Sequence, residues 1–92
     1  MPKLTIEKSH ALEHQTVRQR LDELQTRLAP TYGIDARWTS DTEATVKRTG
    51  ASGTIRCEAK RVIVELDLNF ILTPLKGKIE NRVREELDRV LT

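Results

Sequence analysis

Ninety-two residues suit one domain, taken as 1–92, built on a single hydrophobic core. With 37% of residues apolar and 33% charged, the composition is that of an ordinary folded chain and excludes wholesale disorder. Sixteen basic against fourteen acidic residues leave a net charge of +2, too balanced to dictate a nucleic-acid partner. No apolar run approaches the ~20 residues of a membrane-spanning helix. The opening "MPKLTIEKSH" has no apolar h-region, so no signal peptide and a cytoplasmic location are expected. One cysteine, Cys57, excludes an internal disulfide.

In chain order, "KLTIEK" alternates Leu4 and Ile6 with polar residues and reads as a short strand. Ser9 is the expected N-cap of the helix that follows, whose stripe is Val17, Leu21, Leu24 and Leu28; Pro30 and Gly33 are expected to end it. Four strands are then predicted. "IDARWT" faces Ile34, Ala36 and Trp38 one way, "ATVK" contributes Ala44 and Val46, and "TIRCEA" contributes Ile55, Cys57 and Ala59. "VIVELDLNF" contributes Val62, Val64, Leu66, Leu68 and Phe70. Ser40–Glu43 and "TGASG", Thr49–Gly53, suit hairpin loops, whereas Lys60-Arg61 makes a poor tight turn. The last helix is predicted from Thr73-Pro74, with Leu75, Ile79, Val83, Leu87, Val90 and Leu91 in one stripe. Opposite the stripe, Glu80–Arg84 and Glu85–Arg89 are acid-before-base pairs.

The class is therefore α+β, in the order β-α-β-β-β-β-α. Clean alternation predicts a curved antiparallel sheet with one wet face, so both helices must cover the other. Only Ile63 and Ile71 interrupt the wet face. "ATVK" is a candidate edge strand and dimer seam, with Lys47 and Arg48 as edge protection; the oligomeric state is not legible.

"HALEH", His10–His14, matches the H-x-x-E-H spacing of inverted zinc proteases, in which two histidines one helical turn apart hold the metal. A third ligand and a cleft have little material here, so surface histidines and no metal are expected. Cys57 is expected buried and unreactive. "TGASG" lacks the Lys-Ser/Thr of a phosphate cradle. No catalytic residue and no cofactor are assigned.

The run "FIL", Phe70–Leu72, cannot face one way on a strand. Continued alternation turns Phe70 and Leu72 to the core and Ile71 to the wet side. A sheet gripping its last helix would leave a gap lined by Trp38, Leu66, Phe70 and Leu72, able to hold an acyl chain but expected to be mostly filled by side chains. Lys76, Lys78, Arg82 and Arg84 give the start of the last helix a basic tilt, expected to be a solvated helix face; the alternative is an anionic partner, since Lys76 and Lys78 there oppose the macrodipole.

"TGASGTI" (Thr49–Ile55) and "LDLNFILTPLKGKIENRVREELDRVL" (Leu66–Leu91) resemble the polyhydroxyalkanoic acid system proteins, bacterial proteins whose genes accompany polyester storage granules. A fainter likeness runs from "HALEH" through "YGIDARW", and Asn69 stands where the family is expected to carry glycine. The resemblance implies a cytoplasmic bacterial protein with no established enzyme activity and no transferable catalytic residue. The layout is also similar to a reduced helix-grip fold. Together with the crowded junction these imply a non-enzymatic accessory protein that binds the granule surface or a granule protein through apolar residues near the strand–helix junction, with Lys76, Lys78 and Arg82 at the rim. The alternative is a carrier or sensor of a small apolar acyl ligand in the gripped cavity. Nucleic-acid binding is disfavoured, because the three aromatic residues do not interleave with the basic ones.

Overall fold

The computed structural model describes residues 3–91. The elements run β1 (Lys3–Ser9), α1 (His14–Tyr32), β2 (Asp35–Trp38), β3 (Glu43–Arg48), β4 (Ala51–Cys57), β5 (Arg61–Leu68), a 3-10 turn (Thr73–Leu75) and α2 (Lys76–Val90). The five strands form one antiparallel sheet in the order β1-β5-β4-β3-β2. The predicted element order is the observed one.

Register follows from the alternation. Leu4 lies opposite Leu66, Ile6 opposite Val64, and Val64 in turn opposite Ile55, so the apolar residues of three strands share one face. Ile6, Cys57, Val62 and Val64 on that face meet Val17 and Leu21 of α1 and Leu87 and Leu91 of α2 in one buried cluster. Both helices therefore cover the same side of the sheet. They run antiparallel: Arg20 donates to the Val90 carbonyl oxygen at 2.9 Å, and Arg27 pairs with Glu86.

Several boundaries differ from expectation, each for a local reason. Ser9 continues β1 and caps nothing; Glu13, in extended backbone, precedes α1 without a side-chain cap. Pro30 lies within α1, where its missing N–H removes one bond from the last turn without stopping the helix. Gly33 ends it in the left-handed region, at φ +66°, donating to the Ala29 carbonyl. The hairpin between β3 and β4 is the two-residue Thr49-Gly50, with Gly50 at φ +85°, so β4 starts at Ala51 rather than after the whole "TGASG". Gly53 sits inside β4 because a Cβ there would lie 2.1 Å from the Glu65 carbonyl oxygen. Ala59 is exposed in the next turn, closed by Glu58 N–H to the Arg61 carbonyl at 2.8 Å. β3 is an interior strand, and the edges are β1 and β2, so "ATVK" is no seam.

On the reverse face Ile63 is buried, only 4% exposed, rather than wet: it lies directly between Glu7 and Arg56 of the flanking strands. Those partners extend as ion pairs, Glu7–Arg61 and Arg56–Glu65, whose aliphatic stems can cover an apolar neighbour. On α2, Glu80–Arg84 pairs at 3.8 Å as expected. Glu85 instead faces Arg82, and Arg89 faces Glu86.

Candidate functional site

Two features stand out, and both are built where β5 hands over to α2. The ladder ends at Leu68 because Asn69 captures the chain. Its Oδ1 accepts from the N–H groups of Ile71 (3.0 Å) and Leu72 (3.3 Å), and its carbonyl oxygen accepts from the Thr73 N–H (3.1 Å) and hydroxyl (2.9 Å). Its own N–H donates to the Gly50 carbonyl at 2.9 Å, tying this corner to the β3–β4 hairpin. Asn69 thus holds the turn before the 3-10 segment, and the Thr73 hydroxyl is engaged by its carbonyl oxygen rather than capping a helix.

The capture turns the apolar run outward. Phe70 is 84% and Ile71 68% exposed, and Leu75 in the next turn is 42% exposed. Phe70 therefore does not face the core, since the strand whose alternation would carry it inward has already ended. Leu72 is half-buried and lies against Gly50, where a built Cβ would come within 3.0 Å of Leu72 Cδ1. Lys76 and Lys78 are exposed beside this corner.

The second feature is an apolar groove of about 480 Å³ between the helices and the sheet. Leu24 and Leu28 of α1, Leu66 and Leu68 of β5, and Ile79 and Val83 of α2 supply its walls. Leu72 and Leu75 line it too, as do the cations Arg48, Lys78 and Arg82. The expectation that side chains would fill this space does not hold. The helices meet at the amino-terminal half of α1 and the carboxy-terminal half of α2, and at the other end the same stripes are left uncovered.

Trp38 is not in the groove. It clamps β2 to α1: its indole N–H donates to Asp22 Oδ1 at 2.6 Å, and Arg18 lies 4.5 Å over its ring while pairing with Asp41 at 3.0 Å. Of the eight residues expected to bind a ligand or partner, Leu66, Leu72, Lys78 and Arg82 come together in the groove. Phe70, Ile71 and Lys76 belong to the exposed corner, and Trp38 stands apart.

Sequence reasoning missed Glu86. It is only 2% exposed and lines the groove. Its Oε2 pairs with Arg27, with Arg89 at 3.9 Å. Its Oε1 lies 3.2 Å from Arg82 Nη2 but out of hydrogen-bond alignment, and no donor satisfies it. The signal was present in the spacing, since Glu86 falls three residues after Val83 and four before Val90, on the apolar stripe.

The other candidates resolve structurally. α1 begins at His14, so His10 and His14 are not one helical turn apart on a helix. His10 is half-buried rather than on the surface, with Nδ1 accepting from the Leu12 N–H at 3.2 Å. Among the described residues, no group of three metal-binding side chains converges. Burial pushes the Cys57 thiol above its ordinary value, against a smaller opposing pull from Arg18. Among the described residues, no helix is long and apolar enough to cross a membrane.

Fold and site define a class: an α+β domain in which two helices on one face of a five-stranded antiparallel sheet leave an apolar groove and an exposed apolar corner. Residues 4–91 match the family described as "Putative polyhydroxyalkanoic acid system protein", and the chain belongs to that family. Its fold is similar to that of PA4090 from Pseudomonas aeruginosa, solved by NMR. The TM-score is 0.59 at 13% identity, over 97% of this chain and 83% of that one. No curated protein matches the chain.

Proposed function

We propose that this chain is a non-enzymatic accessory protein of the bacterial polyhydroxyalkanoic acid system, acting in the cytoplasm by attaching to the surface of polyester granules. The supporting observation is the corner at Phe70, Ile71 and Leu75. Large apolar side chains stand in water on a backbone fixed by Asn69, flanked by Lys76 and Lys78. Isolated exposed apolar residues are commonplace, but neighbouring ones on a rigid turn form a wedge that gains on entering an apolar surface. Lys76 and Lys78 suit any anionic groups at that surface.

Co-sedimentation with isolated granules tests this reading. The protein should pellet with them, and the Phe70→Ser/Ile71→Ser double variant should bind at least about a hundredfold more weakly, since each side chain contributes roughly 1.5–3 kcal/mol on burial. Granules stripped by protease distinguish the polyester surface, where binding persists, from a granule-associated protein, where it is lost. Wild-type protein that remains in solution with native granules would discredit both forms.

The groove favours a second reading, a carrier or sensor of a small apolar acyl ligand held between sheet and helices in a helix-grip-like manner. Its ~480 Å³ lies within the usual range of small-molecule sites. Binding of any eight-carbon aliphatic compound with the groove residues perturbed supports it.

A further inference from the structure

The groove is apolar along its walls but not along one line of α2. Lys78, Arg82 and Glu86 follow one another at intervals of four residues, so they stack on a single helix face, and all three line the cavity. Lys78 makes no ion pair or hydrogen bond among the described residues, and neither does Arg48, which lines the groove from β3. Arg82 is ion-paired with Glu86 Oε1 at 3.2 Å, out of hydrogen-bond alignment, and reaches Glu85 at 4.0 Å. Glu86 is committed at Oε2 to Arg27 and Arg89, but its other oxygen is buried without a donor. A buried carboxylate oxygen without a hydrogen bond costs free energy, and nothing in the fold requires this one to lack a donor.

These demands select a ligand. The walls call for an aliphatic chain, Lys78 and Arg82 call for an anion at one end of it, and Glu86 Oε1 calls for a hydroxyl donor one helical turn further on. An unsubstituted fatty acid satisfies the first two demands and leaves Oε1 without a hydrogen bond. An aliphatic alcohol leaves Lys78 without an anion. We infer that the groove binds a free aliphatic hydroxycarboxylic acid, its tail against Leu24, Leu66 and Ile79, its carboxylate on Lys78 and Arg82, and its hydroxyl donating to Glu86 Oε1. This rests on the acyl-ligand reading of the groove; it shares Lys78 with the exposed corner but does not require granule attachment.

The test is a proton–nitrogen NMR titration of the full, untagged chain with three eight-carbon probes: 3-hydroxyoctanoate, octanoate and octan-1-ol. The hydroxy acid should bind about tenfold more tightly than octanoate, because a hydrogen bond to a charged acceptor is gained, and octanoate about tenfold more tightly than the alcohol. Shifts should centre on Leu24, Leu66 and Ile79. Lys78→Ala, at an exposed position that the fold tolerates, should weaken both acids several-fold and leave octanol unchanged. Phe70→Ser/Ile71→Ser should alter none of the three affinities.

Equal binding of all three probes would overturn the inference and leave a purely apolar pocket. Equal binding of the two acids would remove the role of Glu86. No binding of any probe would sink the acyl-ligand reading along with it. A chain that dimerises through the groove, and so excludes all three, would overturn it as well.

Discussion

The two ends of the helical layer use the same residue types at the same spacing to opposite effect. At one end Val17, Leu21, Leu87 and Leu91 are buried against Ile6, Val62 and Val64. At the other, Leu24, Leu28 and Ile79 are half-buried along the groove, and Leu75 is more exposed still. Stripe periodicity says which side of a helix is apolar. How far apart two helices stand is decided elsewhere, here by contacts such as Arg20 with the Val90 carbonyl and Arg27 with Glu86, which hold the closed end together.

That contrast predicts unequal costs for equal truncations. Leu87→Ala, at the closed end, should lower stability by about 2–5 kcal/mol, because it leaves a cavity the packed layer cannot collapse into. Ile79→Ala, beside the groove, should cost less than about 1 kcal/mol, since no comparable contacts are lost. Urea unfolding of the two variants measures both. Equal losses would mean that the groove closes in solution and that the comparison between the two ends is false.

Glycines sharpen the same point within the sheet and the open end. Gly53→Ala should cost about 3 kcal/mol, because its Cβ would press on the Glu65 carbonyl oxygen, an atom that cannot rotate away. Gly77, in the first turn of α2 at the open end, has nothing within 4 Å of a built Cβ. Gly77→Ala should therefore raise stability by roughly 0.5 kcal/mol, by restricting the unfolded chain. Melting temperatures that move in opposite directions for the two variants would bear this out.

The architecture was legible because β5 alternates from Val62 to Leu68 with Ile63 as its one break, and because each helix carries an apolar stripe; from these the shared face of the two helices follows. The site was only half legible. Alternation carried past Leu68 turns Phe70 inward, but Asn69 is a residue whose side chain competes for backbone N–H groups, and that competition ends the strand. Glu86 reads as a solvated residue beside Glu85, although its register places it on the apolar stripe. The groove had no local signal, because its walls are made by the separation of elements that are distant in sequence.

Asn69 is the next test in size. Asn69→Ala removes the acceptor for the Ile71 and Leu72 N–H groups and should cost about 1 kcal/mol, as loss of a helix cap typically does. The loss should be local. Hydrogen exchange should quicken at residues 70–73 while the closed end around Leu87 stays protected. Uniform deprotection of the whole chain would mean that the corner is part of the core rather than an appendage to it.

The smallest effect lies at the closed end and appears only in alkali. Burial raises the Cys57 thiol pKa above 9.0 in the folded chain, and the unfolded chain ionises near that ordinary value. Well below pH 9 both states keep the proton and the thiol adds no pH dependence. As pH rises beyond 9, the unfolded chain releases its proton first, so stability should fall until the folded-state pKa is passed. Cys57→Ala removes that slope, although it lowers stability at every pH through the cavity it leaves. Unfolding free energies of both chains, compared between pH 8 and pH 10.5, separate the two contributions. A parallel decline in both would show that other groups govern the alkaline limb, and that the sheet beneath α1 admits water to a thiol its packing should keep dry.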